Sequence, residues 1–169
     1  MVEEELIARA TALLEICRRK RLKLATAESC TGGLVAATLT HIAGSSDVVE
    51  RGFVTYSNEA KSEMLGVPAA VLASHGAVSR ETAEAMAKGA LAHAPVELAV
   101  SITGIAGPGG AVPGKPVGLV HFGAAARGGR LIHRERRYGD IGRAQVRRVA
   151  VVEALAMLRE LAEEAAGGG

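Results

Sequence analysis

Three segments of the chain bring together residue types that can do chemistry. In Ala27-Glu28-Ser29-Cys30-Thr31-Gly32-Gly33, a hydroxyl and a thiol stand just ahead of two glycines. Where such a segment joins a strand to a helix, its free backbone N–H groups can receive an anion, either an oxyanion or a phosphate. Ser29 ahead of such donors would be a nucleophile with its oxyanion hole built in. Ser29 or Thr31 acting only as a helix N-cap explains the same residues equally well. Cys30 is a rival nucleophile, because a helix N-terminus lowers a thiol's pKa. It ranks below Ser29, since no His occupies a recognisable partner position nearby in sequence.

The second segment is Tyr56-Ser57-Asn58-Glu59-Ala60-Lys61. Lys61 falls in the first turn of a predicted helix, the wrong end for a cation. A solvated lysine would tolerate that place. A buried one would have its pKa depressed, as a lysine general base requires. Tyr56, at a predicted strand end, could donate to a reacting oxygen or simply pack at a rim. The third segment is Ser101-Ile102-Thr103-Gly104-Ile105-Ala106-Gly107-Pro108-Gly109-Gly110, a buried strand running into a glycine-rich loop. Glycine lets a backbone approach a ligand closely. A flexible crossover loop is the alternative.

The elements that would position these segments follow from periodicity. Residues 3–20 read as an amphipathic helix, acidic first and basic last, with Leu6, Leu13, Leu14 and Cys17 on one face. Strands are predicted at 22–27, 49–56 and 96–103, and helices at 31–41 and 58–65, the latter capped by Ser57 or Asn58. A short helical turn starts at Pro68. Ser79 and Thr82 form an imperfect capping box that opens a helix to about residue 92. Strands at 117–125 and 131–138 meet at Arg127-Gly128-Gly129, a hairpin turn, and a helix over 143–165 closes the chain. Helices alternating with strands, followed by one hairpin, imply a three-layer α/β/α sandwich. Its sheet is mixed and mostly parallel, with one pair of neighbouring strands antiparallel. The three chemical segments all sit at strand ends, where open α/β sheets bind ligands.

The 169 residues suffice for one domain, expected over 1–165 with a flexible tail at 166–169. Apolar residues make up 49% but aromatics only 2%, so the core rests on Ala, Val, Leu and Ile, with few rings on which nucleobases could stack. A net charge of +2 does not call for nucleic acid. The basic clusters Arg18–Lys23 and Arg134–Arg148 read as solvated helix ends and faces for the first, and as that or a phosphate-attracting patch for the second. Cys17 and Cys30 lack His or Cys partners at ligand spacing, so neither a zinc site nor a disulfide framework is expected. An acidic start and the lack of a long apolar run predict a soluble cytoplasmic protein.

Three familiar motifs fail. Gly109-Gly110-Ala111-Val112-Pro113-Gly114-Lys115 matches most of a P-loop, but Pro116 stands where Ser or Thr should hold magnesium, and a strand follows instead of a helix. Tyr56 and Lys61 are spaced one residue too far apart for the Tyr-Lys pair of short-chain dehydrogenases. No Gly-x-Ser-x-Gly elbow occurs.

Taken in order, Ala-Glu-Ser-Cys-Thr-Gly-Gly, Tyr-Ser-Asn-x-x-Lys, Thr-Gly-Ile-Ala-Gly-Pro-x-Gly and Lys-Pro-Val-Gly closely resemble the CinA C-terminal domain family, over roughly residues 5–162. The active members of that family are nicotinamide-nucleotide amidases. The resemblance implies hydrolysis of nicotinamide mononucleotide to nicotinate mononucleotide and ammonia, without metal or cofactor, by an α/β/α homo-oligomer. It implies Ser29 as nucleophile, Lys61 as its base and Tyr56 assisting. Cys30, Thr31, Gly32, Thr103, Gly104, Gly107 and Arg143 would bind the substrate. Larger family members carry an extra N-terminal domain for which this chain has no room, so it resembles the stand-alone form. One departure stands out. The family's Gly-Asp-Arg with a second Arg four residues on appears here as Gly139-Asp140-Ile141-Gly142-Arg143, then Arg147. Both arginines would share a helix face, turned to substrate phosphate, a subunit interface or water. Two other functions compete. One is a catalytically silent nucleotide-binding protein acting through partners. The other, a DNA-processing protein, fits the composition poorly.

Overall fold

The computed structural model describes residues 2–167. Its first helix, α1 (Glu4–Lys20), carries Glu4 and Glu5 in its first turn and Arg18, Arg19 and Lys20 in its last, matching the helix dipole at both ends. Its buried stripe of Leu6, Ala10, Leu13, Leu14 and Cys17 joins the main core, where α1 packs chiefly on the last helix of the chain. Strand β1 (Leu24–Glu28) is buried along its whole length. It leads through a turn into α2 (Leu34–Thr40), and a short 3-10 turn at Ser45–Asp47 precedes β2 (Val49–Val54). Helices α3 (Asn58–Leu65), α4 (Ala69–His75) and α5 (Arg80–Ala92) follow, then β3 (Leu98–Gly104), β4 (Leu119–Ala126), β5 (Leu131–Arg137) and the long α6 (Arg143–Glu164).

The strands form one sheet in the order β2-β1-β3-β4-β5. β1 pairs in parallel with β2 and β3, while β4 runs antiparallel to both β3 and β5. Four strands therefore point one way and β4 alone is reversed. The sheet thus holds two antiparallel pairs where one was expected, because a single reversed strand between two neighbours makes two such ladders. One face is covered by α1, α2 and α6 over the main core, which includes Leu24, Val100, Ile102, Phe122, Val151 and Leu158. The other is covered by α3, α4 and α5 over a smaller core of Ala27, Leu65, Val67, Met86, Ala90 and Ala99. Alternate residues of β3 serve the two cores, Val100 and Ile102 one, Ala99 the other, as a period of two requires.

Three expected features differ in detail. Thr31–Gly33 is a turn, not the start of α2: Gly32 (φ 57°) and Gly33 (φ 103°) take a left-handed backbone that a helix interior forbids. Ser79 caps α5 by accepting from the N–H of Thr82 (3.1 Å). The Thr82 hydroxyl donates to Gly76 O instead of completing a box. The basic cluster Arg134–Arg148 is largely neutralised by ion pairs. Arg134 and Arg136 on β5 pair with Glu160 and Glu153 of α6, and Arg148 pairs with Glu3 and Glu5. The Arg134 and Arg136 pairs tie the β5 edge to α6, and the Arg148 pairs tie α6 to the start of α1. In the first cluster, Arg18 pairs with Asp47, and Lys20 donates to the last carbonyls of α6, at Ala162, Glu163 and Ala165. Part of the expected tail, 168–169, lies outside the described residues.

Candidate active site

β1 and β3 are parallel neighbours, so their C-terminal ends emerge side by side. The end of β1 is fixed from both sides: the Ser29 N–H donates to Ile102 O of β3, and the Thr55 N–H donates to Glu28 O. Beyond β2, the Ser57 hydroxyl accepts from Ala60 N and starts α3. That start puts Lys61 in the helix's first turn, as the sequence predicts, with its side chain turned inward.

Lys61 is 1% exposed and its Nζ lies 3.0 Å from Ser29 Oγ. The same nitrogen donates to Thr55 O at 2.9 Å and to Tyr56 O at 3.4 Å. Among the described residues no carboxylate pairs with it, and burial holds its pKa below the usual lysine value. An ammonium can donate to all three partners, whereas a neutral amine can donate to the two carbonyls and keep its lone pair for the Ser29 hydroxyl proton. In the neutral form the arrangement can set a serine beside a base.

The Ser29 turn is held by charged side chains. The Glu28 carboxylate, fully buried, accepts from Val35 N (2.9 Å) and Ala36 N (3.0 Å) and so fills the N-terminus of α2 from within. Those two donors are therefore taken, so of the N–H groups expected to receive an anion here only those of the turn ahead of the helix stay open. On the other side, Arg147 donates from Nε to Cys30 O (3.1 Å) and from a terminal nitrogen to Thr31 O (3.2 Å). Gly32 N donates to Ser29 O and Leu34 N to Thr31 O, whereas the N–H groups of Cys30 and Thr31 have no partner among the described residues.

Ser29, Cys30, Tyr56, Lys61, Thr103, Gly104, Gly107 and Arg143 line one cleft of about 290 Å³. Thr31 and Gly32, expected with them as substrate contacts, do not line this cleft: Thr31 is fully buried, and Gly32 lies in the turn beside the Arg147 guanidinium. Cys30 is buried, and burial pushes its thiol up to about 12, so desolvation outweighs any lowering by the helix start and disfavours the thiolate there. Thr103 donates its hydroxyl to Ala77 O (2.8 Å). Arg143 donates to Gly107 O and to the Tyr56 hydroxyl, both at 2.9 Å, linking the glycine-rich loop to the rim. Arg143 and Arg147 thus both face this region, and neither is paired with an acid among the described residues. Ala77 and Val78 complete the wall. They carry no reactive group, and nothing in the sequence marks them. Among the described residues, no group of three or more His, Cys, Asp or Glu is placed to hold a metal ion, and no helix is long and apolar enough to cross a membrane.

Comparison with known proteins agrees with this fold. The model of the CinA C-terminal domain matches residues 7–162. The chain is 50% identical over 159 residues to a protein of Escherichia coli (strain K12) named nicotinamide-nucleotide amidohydrolase PncC, covering 94% of this chain and 95% of that one. It is also 50% identical over 149 residues to a CinA-like protein of Geobacter sulfurreducens, covering 88% of this chain. It spans only about a third (36%) of the length of that longer relative. Among solved structures, the competence/damage inducible protein CihA of Agrobacterium tumefaciens superposes with a TM-score of 0.94 at 52% identity, over 95% of this chain and 98% of that one. With a family model matched over most of its length and a close relative aligned end to end, the chain belongs to the CinA C-terminal domain family.

Proposed function

We propose that this protein is a nicotinamide-nucleotide amidohydrolase that converts nicotinamide mononucleotide to nicotinate mononucleotide and ammonia, with Ser29 as nucleophile and Lys61 as its base. The contact between Lys61 Nζ and Ser29 Oγ, 3.0 Å long and buried, carries the reading. The similarity to the Escherichia coli protein of that name suggests the substrate.

Neutral Lys61 takes the Ser29 proton as Oγ attacks the carboxamide carbon. The oxyanion meets the unpartnered N–H of Cys30, which lies on the cleft, with Thr31 N next along the turn. Lys61 returns the proton to the leaving amine, and ammonia departs. Lys61 then takes a proton from water as the water oxygen attacks the acyl carbon, and returns it to Ser29 Oγ as the ester bond breaks and the acid leaves. Arg143, at the rim with donors to spare, meets the substrate's phosphate, and Tyr56 holds that guanidinium in place. The enzyme works as a homo-oligomer.

Ammonia release from nicotinamide mononucleotide, measured for the wild type and for Ser29→Ala, tests the reading. Turnover by the wild type and its loss in the variant are expected. Full activity in Ser29→Ala removes Ser29 from the role. A nucleotide that raises Tm without any turnover would favour the silent binding protein.

A further inference from the structure

The segment Lys115-Pro116-Val117-Gly118 has no part in the chemistry above, yet its contacts run between the two walls of the cleft. One wall is the glycine-rich loop after β3, from Gly104 to Gly110. The other is the α4–α5 connection, where Ala77 and Val78 face the first. Lys115 Nζ donates to His75 O, the C-terminal end of α4, at 2.6 Å. That end is the negative pole of the helix, so a cation is favoured there. Lys115 itself is held in a tight hairpin, its backbone exchanging hydrogen bonds with Val112 in both directions (3.1 and 2.9 Å). The side chain of Val117 packs directly on Gly107, the residue whose carbonyl Arg143 grips.

The α4–α5 wall is fixed from its other sides. Gly76 O accepts from the hydroxyls of Ser79 and Thr82, and Ala77 O accepts from Thr103 of β3. Following the chain from Thr103 through the glycine-rich loop to Lys115, across to His75, and on to Ala77 returns to Thr103. The cleft therefore lies beside a closed circuit. Thr103 joins the two walls at the sheet, and the Lys115–His75 contact joins them on the solvent side. Without it, the loop would keep its anchors at β3 and Arg143 but lose the one to the facing wall.

We propose that Lys115 is a positioning residue that latches the glycine-rich wall to the α4–α5 wall, and so governs how tightly substrate is held more than how fast it reacts. The kinetic part rests on the amidase reading. The structural part does not. Lys115→Met removes the cation and keeps the length of the side chain, while Lys115→Arg keeps a cation able to reach a carbonyl.

The test combines steady-state kinetics on nicotinamide mononucleotide with amide hydrogen exchange on the whole protein. In Lys115→Met, KM is expected to rise about tenfold, on the scale of one hydrogen bond from a charged donor, with kcat little changed, the signature of lost uniform binding. Exchange should quicken over both 105–117 and 76–78. Lys115→Arg should restore KM and protection. The proposal is overturned by unchanged KM and exchange in Lys115→Met, by a fall in kcat at constant KM, or by an arginine variant that behaves like the methionine one. If the wild type does not hydrolyse the nucleotide, the amidase reading fails alone. The exchange comparison still decides the latch, since faster exchange in both walls supports it and unchanged exchange refutes it.

Discussion

The Glu28 carboxylate reaches forward past the Ser29 turn to Ala36, accepting that residue's N–H at 3.0 Å and its neighbour's, Val35, at 2.9 Å. A fully buried acid thus supplies the first turn of α2 with an internal anion, complementary to the positive end of the helix. The Ser29 turn hangs between this hold and the strand pairing of Ser29 N with Ile102 O. Glu28→Ala leaves two buried N–H groups without partners. It should destabilise the protein by about 2–4 kcal/mol, given the cost of each unsatisfied group. Urea unfolding checks this, and a variant as stable as the wild type would mean the carboxylate carries no load. Residual activity should fall even where the variant is fully folded, because the turn is no longer fixed.

Lys61 makes a prediction about pH. Its pKa is lowered by burial, so its neutral, basic form is populated at a lower pH than for an ordinary lysine. kcat/KM should rise with pH, with an inflection below the unperturbed lysine value of about 10.4. Cys30, pushed up to about 12, keeps its proton through that range, so Cys30→Ala should leave the inflection where it is. Stability follows the same titration. Between the folded and unfolded pKa values the unfolded chain binds more protons, so wild-type stability rises with pH across that window and is lost as pH falls through it. Lys61→Met should abolish both the activity and that slope. A profile that follows the thiol instead would reinstate Cys30.

The sequence and the structure agree where function depends on residue type and local spacing. Ser29, Lys61 and Tyr56 meet in one cleft because strand ends in a parallel sheet converge, and the period of each element revealed where those ends fall. Lys61 was visible as a cation at the wrong end of a helix. The supports were not visible. Glu28 acts on residues seven and eight positions ahead, across a turn whose shape depends on the left-handed Gly32 and Gly33. Arg147 joins Cys30 from 117 residues away, and spacing alone could not say whether it faced substrate, subunit or solvent. Ala77 and Val78 reach the cleft through the fold and have no chemistry to announce them.

On the α5 side of β4 and β5, His121 Nδ1 and His133 Nε2 lie 2.8 Å apart. One ring must donate and the other accept, so the pair suits two neutral imidazoles and opposes a second proton. Burial lowers both pKa values, followed in His121 by its partner His133 and in His133 by Arg80. Lys115 adds to the lowering at His121, while Glu81 and Glu84 of α5 and Glu135 of β5 oppose it. With folded values below unfolded ones, the pair's contribution is complete above about pH 6.5 and declines as pH falls below it. Urea midpoints for the wild type should therefore drop between about pH 6.5 and 5, and His133→Gln should flatten the decline. An equally steep decline in the variant would assign it to other groups.

A residue outside the cleft should also control the chemistry. Gly89, in the middle of α5, faces α3 so closely that a Cβ placed on it would sit 2.0 Å from Leu65 O. No side chain fits between the two helices there, and the obstacle is backbone, which cannot rotate aside. In an open helix, Gly→Ala stabilises by about 1 kcal/mol. Here the sign reverses, and overpacking should cost roughly 1–3 kcal/mol. Leu65 is the last residue of α3, one turn beyond Lys61. Relief of the clash must push α3 outward and draw Lys61 Nζ away from Ser29 Oγ. Gly89→Ala should therefore lower Tm, and, in protein shown to be folded, should lower kcat more than KM changes, because the base proposed above is displaced while the glycine-rich loop and Arg143, proposed to bind substrate, stay where they are. A variant with raised Tm and full activity would show that α3 and α5 do not meet backbone to backbone at this point.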